Sequence, residues 1–323
     1  MSEAVSPTAT ALPPSKAKAF ARRLVSTLIL WGIVIGALFS GSKVVSDVVL
    51  VSVIVLLAVV GLLEFYGLVE KQGMVCFKSW GVFGGMLLLV GTFLHLEGFF
   101  DIYGLHGTPA RVNDFEVVFL IVFVLGLCFL QFLSKSNTKG ILAISTTLFD
   151  LMYVPWLMNF IQKIYLFPSL GGDGKYYVLY FILVTKFSDS GAYAVGSLIG
   201  KHKMIPRVSP GKTWEGFGGA IVVSTGASVL FAHLAGSHLS GMTLVHAVIL
   251  GVMLSMAAVV GDLIESIFKR EAGVKDSGKF FPGIGGILDL LDSLLFNAPL
   301  MYLYLRHVLS HPAAKSAVQT IAA

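Results

Sequence analysis

The sequence is short of charge. Only 13% of its 323 residues are Asp, Glu, Lys or Arg, whereas soluble domains carry about 25%. Hydrophobic residues make up 56% of the chain and the mean hydropathy is +0.85. Too few charged side chains remain to cover one or two water-soluble domains of this size. The composition excludes a soluble enzyme, a disordered chain, a fibrous protein and a repeat solenoid. It predicts an all-α, polytopic membrane protein.

Cysteine is scarce, and histidine forms no motif. Cys76 and Cys128 are the only two cysteines, which excludes a disulfide framework and any CxxC metal or redox site. The eight histidines are dispersed, and none belongs to an HxxE or HExxH arrangement, so the sequence argues against a zinc site. Any site chemistry is therefore expected from carboxylates, basic side chains and glycine-rich loops.

Apolar runs long enough to cross a bilayer recur along the chain. A spanning helix needs about 20 mostly apolar residues. We predict a disordered polar tail at 1–23, five spans in an N-terminal region at 24–170, four spans in a catalytic region at 171–310, and a second tail at 311–323. The nine predicted spans are 24–41, 44–68, 80–96, 115–133, 140–162, 177–199, 217–235, 242–265 and 284–306.

Basic residues are distributed unequally between the predicted loops. If the N-terminus is cytoplasmic, 16 of the 23 Lys and Arg residues fall in cytoplasmic segments and 6 in outer segments. That bias favours this orientation. The two loops richest in basic residues, 200–216 and 266–283, would then both face the cytosol. We therefore predict a multi-pass protein of the cell (inner) membrane with its active site on the cytosolic side.

Two pairs of carboxylates lie where apolar helices are predicted to begin or end. Asp262 and Glu265 close the eighth span, while Asp289 and Asp292 open the ninth on the same side. Residues three apart share a helix face, and loop 266–283 brings the two ends together. Each acid would cost about 2.5–3.5 kcal/mol at the centre of a membrane helix. The four carboxylates suit Mg²⁺, and whether a second cation binds beside it stays open. The other alternative is a set of salt bridges to the basic residues that follow, Lys269, Arg270, Lys275 and Lys279.

Three more acids lie in predicted spans. Asp189 is one turn from Lys186, so an intrahelical ion pair and a substrate or metal role are both open. Glu64 and Asp150 are isolated acids, for which local pairing or a position facing a cavity is expected.

Loop 200–216 combines positive charge with hydrogen-bond donors. It reads GKHKMIPRVSPGKTWEG and carries four fixed positive charges beside the donors of Ser209, Thr213 and Trp214. This chemistry suits an anion bearing several phosphates. The alternative is a juxtamembrane patch that binds anionic lipid headgroups.

Residues 266–292 read SIFKREAGVKDSGKFFPGIGGILDLLD and resemble the signature of the phosphatidate cytidylyltransferase (CDP-diacylglycerol synthase) family. The stretch 188–216 is similar to a second characteristic region of that family. Two positions depart from the signature, because its His is Ile284 here and its Arg is Leu290. The matching positions are Ser266, Lys269, Arg270, Lys275, Asp276, Gly278, Pro282, Gly283, Gly285, Gly286, Asp289 and Asp292.

The resemblance implies transfer of a cytidylyl group from CTP to phosphatidate, giving CDP-diacylglycerol and pyrophosphate. It implies Mg²⁺ at Asp262 and Asp289, with Glu265 and Asp292 as further ligands or supporting groups. The residues assigned to catalysis are Lys212, Lys269, Arg270, Lys275 and Asp276. The residues assigned to substrate binding are Asp189, Ser209, Thr213, Glu215, Ser266, Gly285 and Gly286.

The sequence alone leaves two other functions open. One is a CTP-dependent kinase of polyprenol or phytol, which would release CDP and a phosphorylated lipid. The other is a membrane transporter, because charges inside a membrane often mark ion pathways. The expected partners are CTP, phosphatidate and the lipid bilayer, with a homodimer as a further prediction and no nucleic acid.

Overall fold

The computed structural model describes residues 31–36, 38–99, 109–134, 139–167, 173–278 and 285–309. Both predicted tails and most of the predicted span 24–41 lie outside these residues, although 31–36 are helical. Four residues of the signature region also lie outside them: Lys279, Pro282, Gly283 and Ile284.

Helices form most of the described chain. A π-helical turn at Met152–Trp156 joins α4 to α5, a 3₁₀ turn at Gly236–Leu239 follows α7, and a second π-helical turn at Leu305–Leu309 follows α9. The helices are α1 Lys43–Lys71, α2 Lys78–Leu96, α3 Pro109–Leu133, α4 Gly140–Leu151, α5 Leu157–Tyr165, α6 Gly174–Ile199, α7 Trp214–Ala235, α8 Leu244–Glu271 and α9 Ile287–Tyr304.

Within the described residues, seven helical segments are long and apolar enough to cross a membrane, and each coincides with a predicted span. Helix α6 matches the predicted span 177–199 and has 26 residues. It is not among these seven segments, because it is more polar than they are. The structure is thus that of an all-α, multi-pass membrane protein, as predicted, while the count of nine spans stays a prediction. The seven segments are Lys43–Lys71, Lys78–Leu96, Val112–Leu133, Gly140–Tyr165, Trp214–Leu239, Leu244–Glu271 and Ile287–Leu309.

Proline changes the helix between α4 and α5. Pro155 lies within the π-helical turn at Met152–Trp156. Proline has no N–H to donate and clashes with the carbonyl of the preceding turn, so the regular α-helical bonding pattern cannot continue through it.

Glycines allow the last four helices to pack closely. A Cβ atom added at Gly191 of α6 would lie 2.8 Å from the carbonyl oxygen of Gly219 in α7. A Cβ atom added at Gly261 of α8 would lie 2.5 Å from the carbonyl oxygen of Asp292 in α9. The second approach brings α8 directly against α9, next to Asp262 and Asp292.

A β-hairpin connects α6 to α7 within the predicted loop 200–216. Its strands, β1 Lys203–Ile205 and β2 Ser209–Thr213, are antiparallel, with Lys203 opposite Thr213. Thr213 ends β2 and also caps α7, because its Oγ1 accepts a hydrogen bond from the backbone N–H of Gly216 at 3.1 Å. This cap satisfies one of the free amides at the helix start, so the hairpin leads directly into α7.

Candidate active site

Three carboxylates converge between α8 and α9. One oxygen each from Asp262, Glu265 and Asp292 lies within 4.8 Å of the other two. Asp262 and Glu265 are one turn apart on α8, and Asp292 faces them from α9 across the close approach at Gly261. Glu265 is fully buried. We call these three residues the acid cluster.

Two of the lysines assigned to catalysis lie against the acid cluster. Lys212 comes from β2, and its Nζ is 2.7 Å from Oδ2 of Asp262. Lys269 comes from the last turns of α8 and forms an ion pair with Glu265. The salt-bridge alternative is therefore realised in part, although one of the two lysines belongs to the hairpin rather than to the loop after α8.

The fourth predicted metal ligand, Asp289, lies outside the acid cluster. Its Oδ1 is 2.6 Å from Nζ of Lys269. Its Oδ2 accepts hydrogen bonds from the backbone N–H of Gly286 at 2.7 Å and from the Ser277 hydroxyl at 3.0 Å. Asp289 thus closes the first turn of α9 and holds Lys269.

Glu64 of α1 reaches the same helix start. Its Oε2 accepts hydrogen bonds from the Leu288 backbone N–H at 2.9 Å and from the Ser277 hydroxyl at 3.1 Å. A Cβ atom at Gly286 would lie 2.3 Å from this oxygen, so only glycine leaves room for the carboxylate. The backbone amides of Gly286 and Leu288 are therefore bonded to carboxylates of the protein itself, whereas the sequence assigned this turn to substrate binding.

Asp189 forms the predicted intrahelical pair and also joins α6 to α9. Nζ of Lys186 is 3.3 Å from Oδ2 of Asp189. The same ammonium donates to the carbonyl oxygen of Leu290 at 3.0 Å and to Oγ of Ser293 at 3.3 Å. Ser293 in turn donates to Oδ2 of Asp189 at 3.3 Å. Asp189 therefore lies beside the acid cluster, because Ser293 directly follows Asp292 on α9.

Two predicted site residues hold the hairpin in place. Glu215 accepts a hydrogen bond from the backbone N–H of His202 and lies 2.6 Å from Nδ1 of that residue. Arg270 donates from Nε to the carbonyl oxygen of Val208 and from Nη1 to that of Val274, both at 3.1 Å. Its guanidinium therefore connects the hairpin turn to the end of α8.

The remaining predicted residues lie around this arrangement. Ser266 donates to Oδ1 of Asp262 at 3.4 Å, and Ser209 is half-buried in β2. Lys275 and Asp276 are exposed in the segment that follows α8. The structure therefore brings Ser266 to the acid cluster and leaves Lys275 and Asp276 on the surface beside it.

The acid cluster fits a hard divalent cation. Carboxylate oxygens are the ligands that Mg²⁺ prefers, and metal–oxygen distances of about 2.1 Å place opposite ligands about 4.2 Å apart. The oxygens here lie within 4.8 Å of one another, so small side-chain movements would bring them to that spacing. Oε1 of Glu265 is buried without a hydrogen-bond partner. A bound cation would satisfy this acceptor, which is otherwise costly to bury.

A comparison with known families agrees with this chemistry. A model described as the cytidylyltransferase family matches residues 21–308. The chain belongs to this family. The resemblance drawn from residues 266–292 is thereby confirmed.

Several curated cytidylyltransferases are similar to the chain. It is 42% identical over 139 residues to the phosphatidate cytidylyltransferase of Staphylococcus haemolyticus, covering 43% of this chain and 52% of that protein. It is 40% identical over 154 residues to that of Mycobacterium leprae, covering 48% and 47%. It is 38% identical over 194 residues to that of Staphylococcus saprophyticus, covering 60% and 71%. The chain thus spans about half the length of the first two relatives.

Sequence reasoning missed three residues that contact this candidate site. Glu64, Lys186 and Ser277 each contact a predicted site residue or the helix that carries it. The only signal for Glu64 and Lys186 was a charge inside an apolar helix, which marks a polar environment but names no partner. Ser277 lay within the quoted signature region, without a role assigned to it.

Proposed function

We propose that this protein transfers the cytidylyl group of CTP to phosphatidate, giving CDP-diacylglycerol and pyrophosphate for phospholipid biosynthesis. One observation carries the proposal. The acid cluster and its two lysines, Lys212 and Lys269, lie together at one end of a bundle of apolar helices. The similar relatives, which are phosphatidate cytidylyltransferases, support the same reaction.

The reaction needs no strong general base. A phosphate monoester has a second pKa near 6, so phosphatidate already carries an anionic oxygen at neutral pH. This oxygen forms a bond to the α-phosphorus of CTP. The bond between that phosphorus and the oxygen bridging to the β-phosphorus breaks, and pyrophosphate leaves with the electron pair. No proton has to be removed from the nucleophile.

The main difficulty is the approach of two polyanions, which positioning and charge neutralisation address. We assign Lys212 and Lys269 to the phosphate groups, with Asp289 holding Lys269. Asp262, Glu265 and Asp292 would hold Mg²⁺, which when bound supplies positive charge beside the phosphate oxygens.

The hairpin supplies the remaining substrate contacts in this proposal. It carries Ser209 and Lys212, and Arg270 and Glu215 fix its position against α8 and the start of α7. The positive-inside bias favours an orientation with this end of the bundle on the cytosolic side of the cell (inner) membrane, where a soluble nucleotide would enter. The acyl chains of phosphatidate would stay in the bilayer. A homodimer stays a prediction.

The proposal is tested with purified protein in detergent, phosphatidate, and CTP labelled on either the α- or the γ-phosphorus. We expect label from the α-position in the lipid and label from the γ-position in pyrophosphate. We also expect both products to require a divalent cation, with Mg²⁺ active and EDTA abolishing turnover.

Two variants make the test specific. Asp262→Asn removes a carboxylate of the acid cluster and is expected to abolish both products. Glu271→Gln changes an exposed acid further along α8 and is expected to leave them unchanged. Transfer of γ-label to the lipid would instead identify a kinase, and the absence of turnover by the unmodified protein would contradict the proposal.

A further inference from the structure

Lys186 is a basic residue near the middle of α6, a helix that has apolar side chains along most of its length. Only 26% of its side chain is exposed. A lysine at the centre of a membrane helix is costly, so such residues are found where partners or a polar cavity receive the charge. Its three acceptors are Asp189 on its own helix and Leu290 and Ser293 on α9.

This lysine is placed beside the one member of the acid cluster that lacks an ion-pair partner among the described residues. Lys212 contacts Asp262 and Lys269 contacts Glu265. The charged groups that act on Asp292 are Asp262, Asp189 and Lys186. Lys186 is the single cation in that set, so it balances the negative charge on the α6 side of the acid cluster.

Its contacts on α9 coincide with a departure from the family signature. The signature places an arginine directly after its first late aspartate, and this chain has Leu290 there. Positions 290 and 293 are three apart and therefore neighbours on the helix surface. Lys186 contacts the carbonyl of Leu290 and the hydroxyl of Ser293. The ammonium of Lys186 therefore lies close enough to position 290 that the charged end of a long basic side chain there could occupy the same place.

We propose that Lys186 is a positioning residue that supplies, from α6, the positive charge that the signature carries at position 290 of α9. It holds Asp189 and Ser293 against Asp292 and so fixes the α9 side of the acid cluster. This role rests on the proposed cytidylyl transfer. That Lys186 takes the place of a basic residue at position 290 is a separate claim, which concerns the stability of the folded chain and not the reaction.

The test moves the positive charge from position 186 to position 290. Lys186→Met is expected to lower kcat/KM for CTP by about 10- to 100-fold, the loss expected for a hydrogen-bonded charge. Adding Leu290→Arg to that variant is expected to restore most of the activity, and Lys186→Arg is expected to retain it. Lys175→Met is the matched control, because Lys175 lies in the first turn of the same helix, pairs with Asp173 and, among the described residues, contacts none of the site.

Thermal unfolding in detergent without substrate separates the two claims. Lys186→Met is expected to lower the unfolding midpoint, and the double variant is expected to raise it again. If the unmodified protein makes no CDP-diacylglycerol, the proposed function fails, while this unfolding series still tests the charge replacement. The inference is overturned if Lys186→Met keeps unmodified kinetics. It is also overturned if Leu290→Arg restores neither activity nor the unfolding midpoint, including the case in which the single variant does not fold.

Discussion

The N-terminal and C-terminal helices each bury charged side chains, but they do so in different ways. In the N-terminal region, Glu116 of α3 and Lys163 of α5 form an ion pair with 2.5 Å between Oε1 and Nζ, and both side chains are almost completely buried. Asn159 donates hydrogen bonds to Glu116 and to Thr92, and Lys163 lies 4.7 Å from the ring centroid of Phe160. One acid meets one base, and neighbouring polar groups complete the network.

The C-terminal site is not balanced in this way. Among the residues that the structure describes, five carboxylates face three ammonium groups, which leaves a formal charge of −2 before the nearby Glu64 is counted. Glu265 is fully buried and keeps one oxygen without a hydrogen-bond partner. The carboxylates are Asp189, Asp262, Glu265, Asp289 and Asp292, and the ammonium groups belong to Lys186, Lys212 and Lys269.

The difference separates a structural network from a binding site. A buried ion pair that loses one partner leaves an uncompensated charge, so a balanced pair resists substitution through its effect on folding. An excess of buried negative charge is unfavourable for folding unless a cation or a substrate group balances it. Such sites typically lower stability in exchange for activity. Replacing a charged residue by an uncharged one should therefore lower activity in the C-terminal site and lower stability in the N-terminal network.

The largest effect is expected from Glu265→Gln in the acid cluster. This change removes a carboxylate while Lys269 keeps Asp289 as its partner. We expect kcat/KM to fall about a thousandfold or more, equivalent to roughly 4 kcal/mol. Because a costly buried charge is removed, we expect the unfolding midpoint without metal to stay the same or to rise. Steady-state CTP turnover and thermal unfolding in detergent measure the two quantities.

A fall in both activity and unfolding midpoint would contradict the comparison, since it would show that Glu265 supports folding in the way a balanced pair does. Glu271→Gln is the control, because it makes the same chemical change at an exposed position on the same helix. Its activity and its unfolding midpoint should both match those of the unmodified protein.

Glu116→Gln is expected to give the opposite pattern in the N-terminal region. It leaves Lys163 buried without its carboxylate, which should lower the free energy of unfolding by about 3–5 kcal/mol. The protein that remains folded should keep its kcat, because the pair contacts no residue of the acid cluster among the described residues. Equilibrium unfolding in a denaturing detergent measures the first quantity, and turnover per folded molecule measures the second.

The double variant Glu116→Leu with Lys163→Met sharpens this result. Replacing a whole buried ion pair by apolar groups is often neutral, so it should recover most of the lost stability. Glu97→Gln is the surface control, since the Lys43–Glu97 pair is largely exposed and should contribute less than about 1 kcal/mol. If Glu97→Gln lowered the free energy of unfolding as much as Glu116→Gln does, burial of the ion pair would not explain the effect at Glu116.

Hydropathy and residue spacing were sufficient for much of the fold and for part of the site. Apolar runs predicted the helical segments because the bilayer sets both their length and their composition. The i,i+3 spacing and the loop between two helix ends led to the approach of Asp262, Glu265 and Asp292, which the structure contains. These are local patterns, so the sequence alone carries them.

The remaining features depend on contacts between distant parts of the chain. Spacing cannot show that Asp289 turns to Lys269 and Ser277 while Asp292, one turn later, joins the acid cluster. The partner of Glu64 lies 224 residues further along the chain, and no pattern in either segment indicates it. The strands of the hairpin are too short for an alternating pattern to identify them.

Glu64 is where the two regions meet, and its substitution should have an intermediate effect. Glu64→Ala removes the acceptor for the Leu288 N–H and the Ser277 hydroxyl, so the first turn of α9 loses support from α1. We expect kcat to fall about tenfold, in line with the loss of one to two hydrogen bonds to a charged group. Glu64→Gln keeps an acceptor oxygen and should lose less.

The measurement is turnover at saturating CTP, together with hydrogen exchange at the start of α9. Faster exchange in Glu64→Ala should accompany its lower kcat. Unchanged exchange with reduced turnover would show that Glu64 acts on the substrate directly and not through the helix start.

The smallest effect is expected at Arg270, which holds the β-hairpin in position. Arg270→Lys keeps the charge but replaces a planar fork of donors by a single ammonium, which cannot hold the carbonyls of Val208 and Val274 with the same geometry. Because Arg270 is exposed, we expect only about a three- to tenfold rise in the KM for CTP, with kcat unchanged. Trypsin should also cleave the hairpin at Lys203 or Arg207 faster than in the unmodified protein. If kcat falls while cleavage stays the same, Arg270 contacts the reacting phosphates and belongs with Lys212 and Lys269 instead of with the residues that hold the hairpin.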